Sequence, residues 1–326
     1  MISSLQIAVV IPCYRVKDKI LSVLTRIGQE VDRIYVVDDC CPEHSGHYVE
    51  HNHPDKRVRV IVNKHNMGVG GAVIEGYKQA LSDGMDIIVK LDGDGQMDPA
   101  KIPLLVSPIV AGQADYTKGN RFYNLEKLSA MPRARKFGNA ALSFMTKISS
   151  GYWNIFDPTN GFTAVHRGAA VLIPFDKLSL RYFFETDILF RLNIIKAVVV
   201  DVPMDAFYGD EKSNLKISKI LFEFLYKHAV NFSKRIFYNY YLRDMSLASL
   251  ELPCGVILLT FGVLFGSSQW YHSVKTGNVA SSGTVMLSAL PLIVGIQFIL
   301  AFIGYDISTV PSRPLHIIYA ERERLK

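Results

Sequence analysis

The stretch Leu91-Asp92-Gly93-Asp94-Gly95-Gln96-Met97-Asp98-Pro99 holds the densest set of groups able to do chemistry. It follows the apolar run Ile87–Leu91, so two carboxylates project from a strand end beside flexible glycines. Hard oxygen donors placed there suit Mg²⁺ or Mn²⁺, which would also take the oxygens of a diphosphate. The chemistry would be Lewis-acid stabilisation of a departing nucleotide diphosphate. An EF-hand loop needs Gly at its sixth position and Glu at its twelfth. Counted from Asp92 these are Met97 and Pro103, so that reading fails. A plain acidic turn is the competing reading of the motif taken alone.

Two further clusters compete for attention. Gly68-Val69-Gly70-Gly71-Ala72-Val73 resembles a phosphate-binding glycine loop, with Asp92 about twenty residues beyond it. Val73, however, stands where the third glycine belongs, and the polar Asn63–Asn66 separates the glycines from the preceding apolar run. Both departures argue against a nicotinamide dinucleotide; a membrane-tethered dehydrogenase and a non-catalytic membrane scaffold stay as alternative readings. The second cluster is basic: Lys118, Arg121, Lys127, Arg133, Arg135 and Lys136, opposed only by Glu126. Beside a carboxylate-bound metal such side chains would hold phosphates, Arg by bidentate contacts and Lys as a point charge. Alone, they read equally as a solvated basic loop. No nucleic-acid module is recognisable, so nucleic acid is not the expected partner.

The elements that must position these groups alternate along residues 1–205. Apolar runs at Ile7–Ile11, Ile34–Val37, Val58–Val62 and Ile87–Leu91 are separated by helix-length stretches such as Asp18–Glu30 and Gly70–Ser82. The pattern predicts an α/β fold with a mostly parallel sheet covered on both faces. Ligands of such folds gather at the carboxyl ends of the strands, here Pro12–Arg15, Asp38–Asp39, Asn63–Gly71 and Asp92–Gln96.

The chain has 326 residues, 49% hydrophobic and 20% charged, with a formal net charge of +6. Its mean hydropathy is +0.17, an unusual pairing with a basic balance. The composition excludes disorder, a collagen-like repeat and a disulfide-stapled mini-protein. Cys13, Cys40, Cys41 and Cys254 make no CxxC pair and read as reduced thiols. The N-terminal apolar run lacks a charged leader and is too short to span a membrane, so folding is expected to begin in the cytosol.

The apolar surplus lies near the C-terminus. Residues 211–250 interleave aromatic and basic side chains, as amphipathic helices at a membrane interface do. Leu252–Trp270 and Thr284–Tyr305, of 19 and 22 residues, carry no charge and are long enough to cross a bilayer. Seven Lys and Arg lie in residues 210–251, whereas residues 271–283 hold only Lys275 and the tail holds Arg313, Arg322, Arg324 and Lys326. This bias predicts a cytoplasmic large domain and tail. The expected organisation is a catalytic domain over 1–210, juxtamembrane helices over 211–250, two spans over 251–305 and a cytoplasmic tail over 306–326.

Taken in order, these residues resemble a known family. Ile11-Pro12-Cys13-Tyr14-Arg15 comes first, then Val36-Val37-Asp38-Asp39, Asn66–Ala72, Asp92-Gly93-Asp94 and Gly119-Asn120-Arg121. The series is similar to family 2 glycosyltransferases of the GT-A fold. Phe156-Asp157-Pro158-Thr159-Asn160-Gly161-Phe162 and the helical hairpin resemble the polyprenyl-phosphate glycosyltransferases, including dolichyl-phosphate mannose synthases and the GtrB-type bacterial glucosyltransferases.

The resemblance implies inverting transfer of a hexose, glucose from UDP-glucose, to polyprenyl (undecaprenyl) phosphate, or of mannose from GDP-mannose. It implies Mg²⁺ or Mn²⁺ on Asp94 and Gln96 with Asp92. Pro12, Tyr14, Arg15 and Asp39 would surround the nucleotide, supported by Asp38, with Gly68, Gly70, Asp92, Glu185 and Asp187 on the nucleotide sugar. Arg121 and Arg135 would bind phosphate, and Asp157 would organise the metal, sugar hydroxyls or acceptor-binding cations. These, with Asp94, are the candidate catalytic residues. Tyr14-Arg15 replaces the commoner Tyr-Asn-Glu of the family, and Cys40-Cys41 replaces Gly-Ser. The QxxRW motif of processive polysaccharide synthases is missing. The implied setting is a bacterial plasma membrane, with a homo-oligomer left open.

Overall fold

The computed structural model describes residues 5–123, 133–204 and 217–324. The chain divides into two compact units, Met1–Ser233 with Pro311–Lys326, and Lys234–Val310.

The first unit is built on strands β1 (Ile7–Cys13), β2 (Arg33–Asp38), β3 (Val58–Val62), β4 (Ile87–Lys90), β5 (Tyr116–Asn120), β6 (Thr163–His166) and β7 (Val199–Pro203). They form one sheet in the order β3-β2-β1-β4-β6-β5-β7. Strands β1 to β4 run parallel, as their uninterrupted apolar runs require of a sheet buried on both faces. Ile7 to Ile11 are wholly buried, whereas the edge strand β3 is only partly covered. Crossovers include α1 (Lys17–Thr25), α2 (Ser45–Asn52), α3 (Val69–Ser82) and α4 (Ile102–Val110). The helix expected over Asp18–Glu30 stops at Thr25, shortly before Gly28, a poor helix former.

Strand β6 runs antiparallel to both β4 and β5. That reversal decides where the site forms. It brings the segment leading into β6 to the same sheet edge as the ends of β4, β5 and β7. Helices α5 (Arg133–Ser150), α6 (Phe184–Ile194) and α7 (Ile217–Ile236) follow in sequence. Phe183, just before α6, meets Phe224 and His228 of α7 edge-on, with ring centroids 5.2 and 5.1 Å apart.

Residues from Pro311 onward rejoin this unit. Helix α10 (Leu315–Arg324) starts on Asp115, whose wholly buried carboxylate accepts from Leu315 N at 2.9 Å and from His316 N at 3.2 Å. His316 Nδ1 lies 2.8 Å from the same carboxylate, and its ring stacks on His166 at 4.2 Å.

The second unit contains α8 (Ala248–Thr276) and α9 (Ser282–Ser308), two helices long and apolar enough to cross a membrane, with mean hydropathies of 1.9 and 2.3. They pack antiparallel through small residues: Gly255 against Ile299, Gly262 against Leu292 and Gly295 against Leu259. A Cβ on Gly262 would sit 2.7 Å from Leu292, so the helices approach more closely than a larger residue allows. Only 22% and 11% of their apolar windows are buried, unlike core helices of a globular domain. Within this unit Arg235 makes a buried two-point ion pair with Asp306, at 2.5 and 3.1 Å.

Candidate active site

A cavity of about 190 Å³ opens at the sheet edge where β4, β5 and β7 end and the segment before β6 arrives. Its lining includes Asp92, Asp94, Gln96, Arg121, Asn160 and Gly161.

The acidic turn is shaped by its own side chains. Asp94 Oδ1 accepts from Gln96 N at 3.0 Å, and Gly95 takes the left-handed conformation (φ +77°) that a Cβ disfavours. Asp98 accepts from Ala100 N at 3.2 Å and pairs with Arg26 at 2.6 Å, anchoring the far end of the turn. Burial pushes the Asp94 carboxyl above its ordinary range, and the Asp92 charge pushes the same way. Asp92 Oδ1 is buried without a hydrogen-bond partner among the described residues, although Lys90 Nζ lies 3.0 Å away. That ammonium also pairs with Glu185 Oε1 at 3.0 Å. Lys90 is buried in β4, yet Asp92 and Glu185 outweigh desolvation and hold its pKa above the ordinary value. A Cβ on Gly161 would meet Asp92 Oδ2 at 2.6 Å and also crowd Lys90 Nζ, so only glycine fits over this pair.

Arg121 and Asp157 form a fork. Nε donates to Asp157 Oδ2 at 2.8 Å and Nη2 to Oδ1 at 3.0 Å, while Nη2 also reaches Thr159 Oγ1 at 3.1 Å. Asp157 is wholly buried, and Arg121 is the partner that makes this tolerable. Of the roles open to Asp157, the structure shows it holding a cation expected to bind phosphate, Arg121, which lines the cavity.

Other expected residues lie around this centre with their polar groups engaged by the fold. Asp38 accepts from Cys41 N at 2.7 Å and Gly46 N at 2.6 Å, tying the start of α2 to the end of β2. Asp39 accepts from Asn63 Nδ2, Met67 N and Gly68 N at 2.9, 2.9 and 2.7 Å, pinning the segment before α3. Pro12 lies in β1, Tyr14 is exposed just beyond it, and Arg15 (φ +58°) stacks its guanidinium over the Tyr14 ring at 5.4 Å. Gly68 and Gly70 serve close packing: a Cβ there would meet Leu180 O at 2.7 Å and Ser179 O at 2.6 Å. Gly71 N donates to Leu180 O, so this end of α3 faces protein carbonyls instead of an open phosphate cradle. Asp187 accepts from Ser179 N at 2.8 Å and Asn231 Nδ2 at 3.1 Å. Lys127 and the side chains of Arg133 and Arg135 lie outside the described residues.

Two buried groups, Lys90 and Asp201, escaped the sequence reading, and Lys118, expected in the phosphate-holding basic cluster, is instead wholly buried against the protein's own carbonyl. Lys90 follows three apolar residues of β4, and Lys118 follows Tyr116-Thr117 in β5. A lysine inside a buried strand was the available signal. Lys118 Nζ bonds the Asn160 carbonyl, and burial draws its pKa down to about 8. Asp201 on β7 accepts from Asn120 Nδ2 at 2.8 Å and Phe156 N at 2.9 Å.

The family described as "Glycosyl transferase family 2" matches residues 8–171, about half of the chain. The UDP-N-acetylglucosamine–dolichyl-phosphate N-acetylglucosaminyltransferase of Methanococcus voltae is 31% identical over 218 residues, 63% of this chain and 86% of that protein. The undecaprenyl-phosphate mannosyltransferase of Micrococcus luteus is 28% identical over 218 residues, 66% and 88% of the two chains. Among solved structures, glucosyl-3-phosphoglycerate synthase from Mycobacterium tuberculosis with UDP superposes with a TM-score of 0.54 at 17% identity, covering 72% of this chain and 80% of that one. The same synthase has been crystallised with Mn²⁺ and UDP, and that complex has a TM-score of 0.51. The shared fold is GT-A, and the match runs from β1 past the reversed strand β6. An acidic turn after β4, an Arg–Asp fork opposite the end of β5 and this breadth of likeness make the chain a member of the family 2 glycosyltransferases.

Proposed function

We propose that this glycosyltransferase transfers a hexose from a nucleotide sugar to polyprenyl phosphate with inversion at the anomeric carbon. The observation carrying the reading is one cavity lined by the Asp92 and Asp94 carboxylates and by Arg121, which the buried Asp157 holds from behind. The names of the M. voltae and M. luteus relatives support a lipid-phosphate acceptor. UDP-glucose is the donor proposed from the sequence resemblance. GDP-mannose is the second reading, favoured by the mannosyl relative.

A divalent cation fits the residues present. Asp92 lines the cavity with its Oδ1 held 3.0 Å from Lys90, Asp94 is a carboxylate whose charged form burial disfavours, and Gln96 adds a neutral oxygen. Among the described residues no three His, Cys, Asp or Glu converge into a closed cage, as expected where substrate oxygens complete the shell. Asp94 and Gln96, with Asp92, would hold Mg²⁺ or Mn²⁺, which when bound supplies charge stabilisation to the leaving diphosphate. Lys90 keeps Asp92 and Glu185 apart from mutual repulsion. Arg121, aimed by Asp157, binds phosphate at the cavity, and Arg135 is proposed to assist it. Asp38 and Asp39 hold the segments around the nucleotide pocket formed with Pro12, Tyr14 and Arg15. A phosphate monoester is mostly ionised at neutral pH and needs no strong base, so Asp157 orients Arg121 and does not need to abstract a proton. Alignment and electrostatic stabilisation then supply most of the acceleration.

The membrane reading rests on α8 and α9 and on the Lys and Arg bias. The chain leaves the catalytic unit at Ser233 and rejoins it at Pro311, which suits an even number of crossings. We assign the catalytic unit and tail to the cytoplasmic face of a bacterial plasma membrane, with residues 271–283 on the far side. The basic, aromatic segment around α7 would keep the active site at the height of the lipid phosphate.

The test incubates membranes carrying the full chain with radiolabelled UDP-glucose or GDP-mannose, Mg²⁺ or Mn²⁺, and polyprenyl phosphate, followed by lipid extraction. Label should enter the lipid phase only when polyprenyl phosphate is added, and a chelator should stop it. No lipid label with any nucleotide sugar overturns the proposal.

A further inference from the structure

Asp201 does not line the cavity, yet it touches both segments that carry the fork. It lies on β7 in register with Lys118 of the neighbouring β5. Its Oδ2 accepts from Asn120 Nδ2 at 2.8 Å and from Phe156 N at 2.9 Å. Asn120 Oδ1 in turn accepts from Phe122 N at 2.9 Å. Arg121 is therefore bracketed by Asn120, which Asp201 grips, and by Phe122, whose N–H donates to Asn120. Asp157 directly follows the other residue that Asp201 grips.

We propose that Asp201 is a positioning residue for glycosyl transfer, one carboxylate oxygen tying together the backbone segments that carry Arg121 and Asp157. The inference rests on the transferase reading above and extends it to a residue outside the cavity. An ionised oxygen suits the task because it accepts two converging N–H groups more strongly than a neutral one. The arrangement is costly for the fold. Asp201 Oδ1 is buried with no hydrogen-bond partner among the described residues. Burial pushes the carboxyl up to about 6, and Asp157 pushes the same way. The Phe156 amide, Lys118 and Asn120 oppose that shift. Lys147 of α5 also feels the Asp201 charge.

The sign of the linkage separates positioning from support. A carboxyl whose pKa rises on folding contributes stability at pH values below its unfolded pKa. That contribution is lost as pH rises through about 6. A neutral isostere should therefore leave the fold as stable or more stable above pH 6 while loosening the fork.

The experiment compares the full-length wild type with Asp201→Asn and Asn120→Ala. It records thermal midpoints, kcat and both KM values across pH, and amide hydrogen exchange over residues 119–123 and 155–157. Asp201→Asn should lower kcat about tenfold above neutrality, the loss of roughly one charge-assisted hydrogen bond. Both KM values should hold, the midpoint should not fall, and any acidic limb near pH 6 should disappear. Exchange at Phe122 and Phe156 should quicken. Asn120→Ala should lower kcat and quicken exchange at Phe122 alone, which keeps the test valid if Asp201→Asn does not fold. A lower midpoint with unchanged kcat and an unchanged acidic limb overturns the proposal, as does unchanged exchange at both amides. If the wild type transfers no sugar to lipid, the transferase reading fails, and exchange at Phe122 and Phe156 still decides whether Asp201 holds the two segments.

Discussion

Replacing Lys90 with Met probes how the sheet edge tolerates its carboxylates. Lys90 is 1% exposed, and its ammonium lies 3.0 Å from oxygens of both Asp92 and Glu185. One such pair has a gross Coulomb attraction of about 5 kcal/mol at an effective dielectric constant of about 20. Desolvation offsets much of this, and breaking a buried pair while leaving one partner behind costs about 3–5 kcal/mol. Met preserves the apolar stem, so the loss isolates the charge. At roughly 2–4 °C per kcal/mol for a domain of about 200 residues, the midpoint should fall by about 6–20 °C. Thermal unfolding of the detergent-solubilised chain would measure it, alongside Glu185→Gln and the double variant. Adding Glu185→Gln to Lys90→Met should recover much of the loss, because one of the two stranded carboxylates is then neutral. A midpoint for Lys90→Met indistinguishable from wild type, or strict additivity in the cycle, would refute the reasoning.

Asp94→Ala should abolish metal-dependent lipid glycosylation while leaving membrane insertion intact, and full activity in the presence of chelator would dismiss the metal role. Gly161→Ala must displace Asp92 or the segment before β6, because the new Cβ would lie 2.6 Å from Asp92 Oδ2. A shift of about 1 Å there should reduce kcat/KM about a hundredfold, measured against donor concentration. Asp115 is held below the usual carboxylate range: burial works the other way, but His316 and the Val198, Leu315 and His316 amides outweigh it. Its contribution is therefore present above the unfolded carboxylate pKa and lost as pH falls through the folded one. Hydrogen exchange in residues 315–321 should accelerate selectively in acid, and Asp115→Asn should reproduce that acceleration at neutral pH.

The acidic turn was legible because a continuous apolar strand ending abruptly in carboxylates is a local pattern. The two long apolar helices were legible for a similar reason: length and missing charge are properties of consecutive residues. Asp38 and Asp39 were found as strand-end polar groups. Sequence alone could not show that Asp38 caps α2 and that Asp39 holds Asn63, Met67 and Gly68. Gly68 and Gly70 illustrate the same limit, since a glycine motif does not say whether phosphate or a protein carbonyl occupies the space it leaves.

The order of apolar runs and polar strand ends, read with the family resemblance, determined the α/β class, the acidic turn and the hydrophobic hairpin. Only the tertiary structure decided the electrostatics. Lys90 meets Glu185 across 95 residues, Asp201 reaches Asn120 across 81, and Asp115 receives the chain again 200 residues later. The reversal of β6 likewise brings Asp157 to Arg121. Burial and ion pairing depend on what stands across a few ångströms of space, and a one-dimensional pattern does not contain that distance.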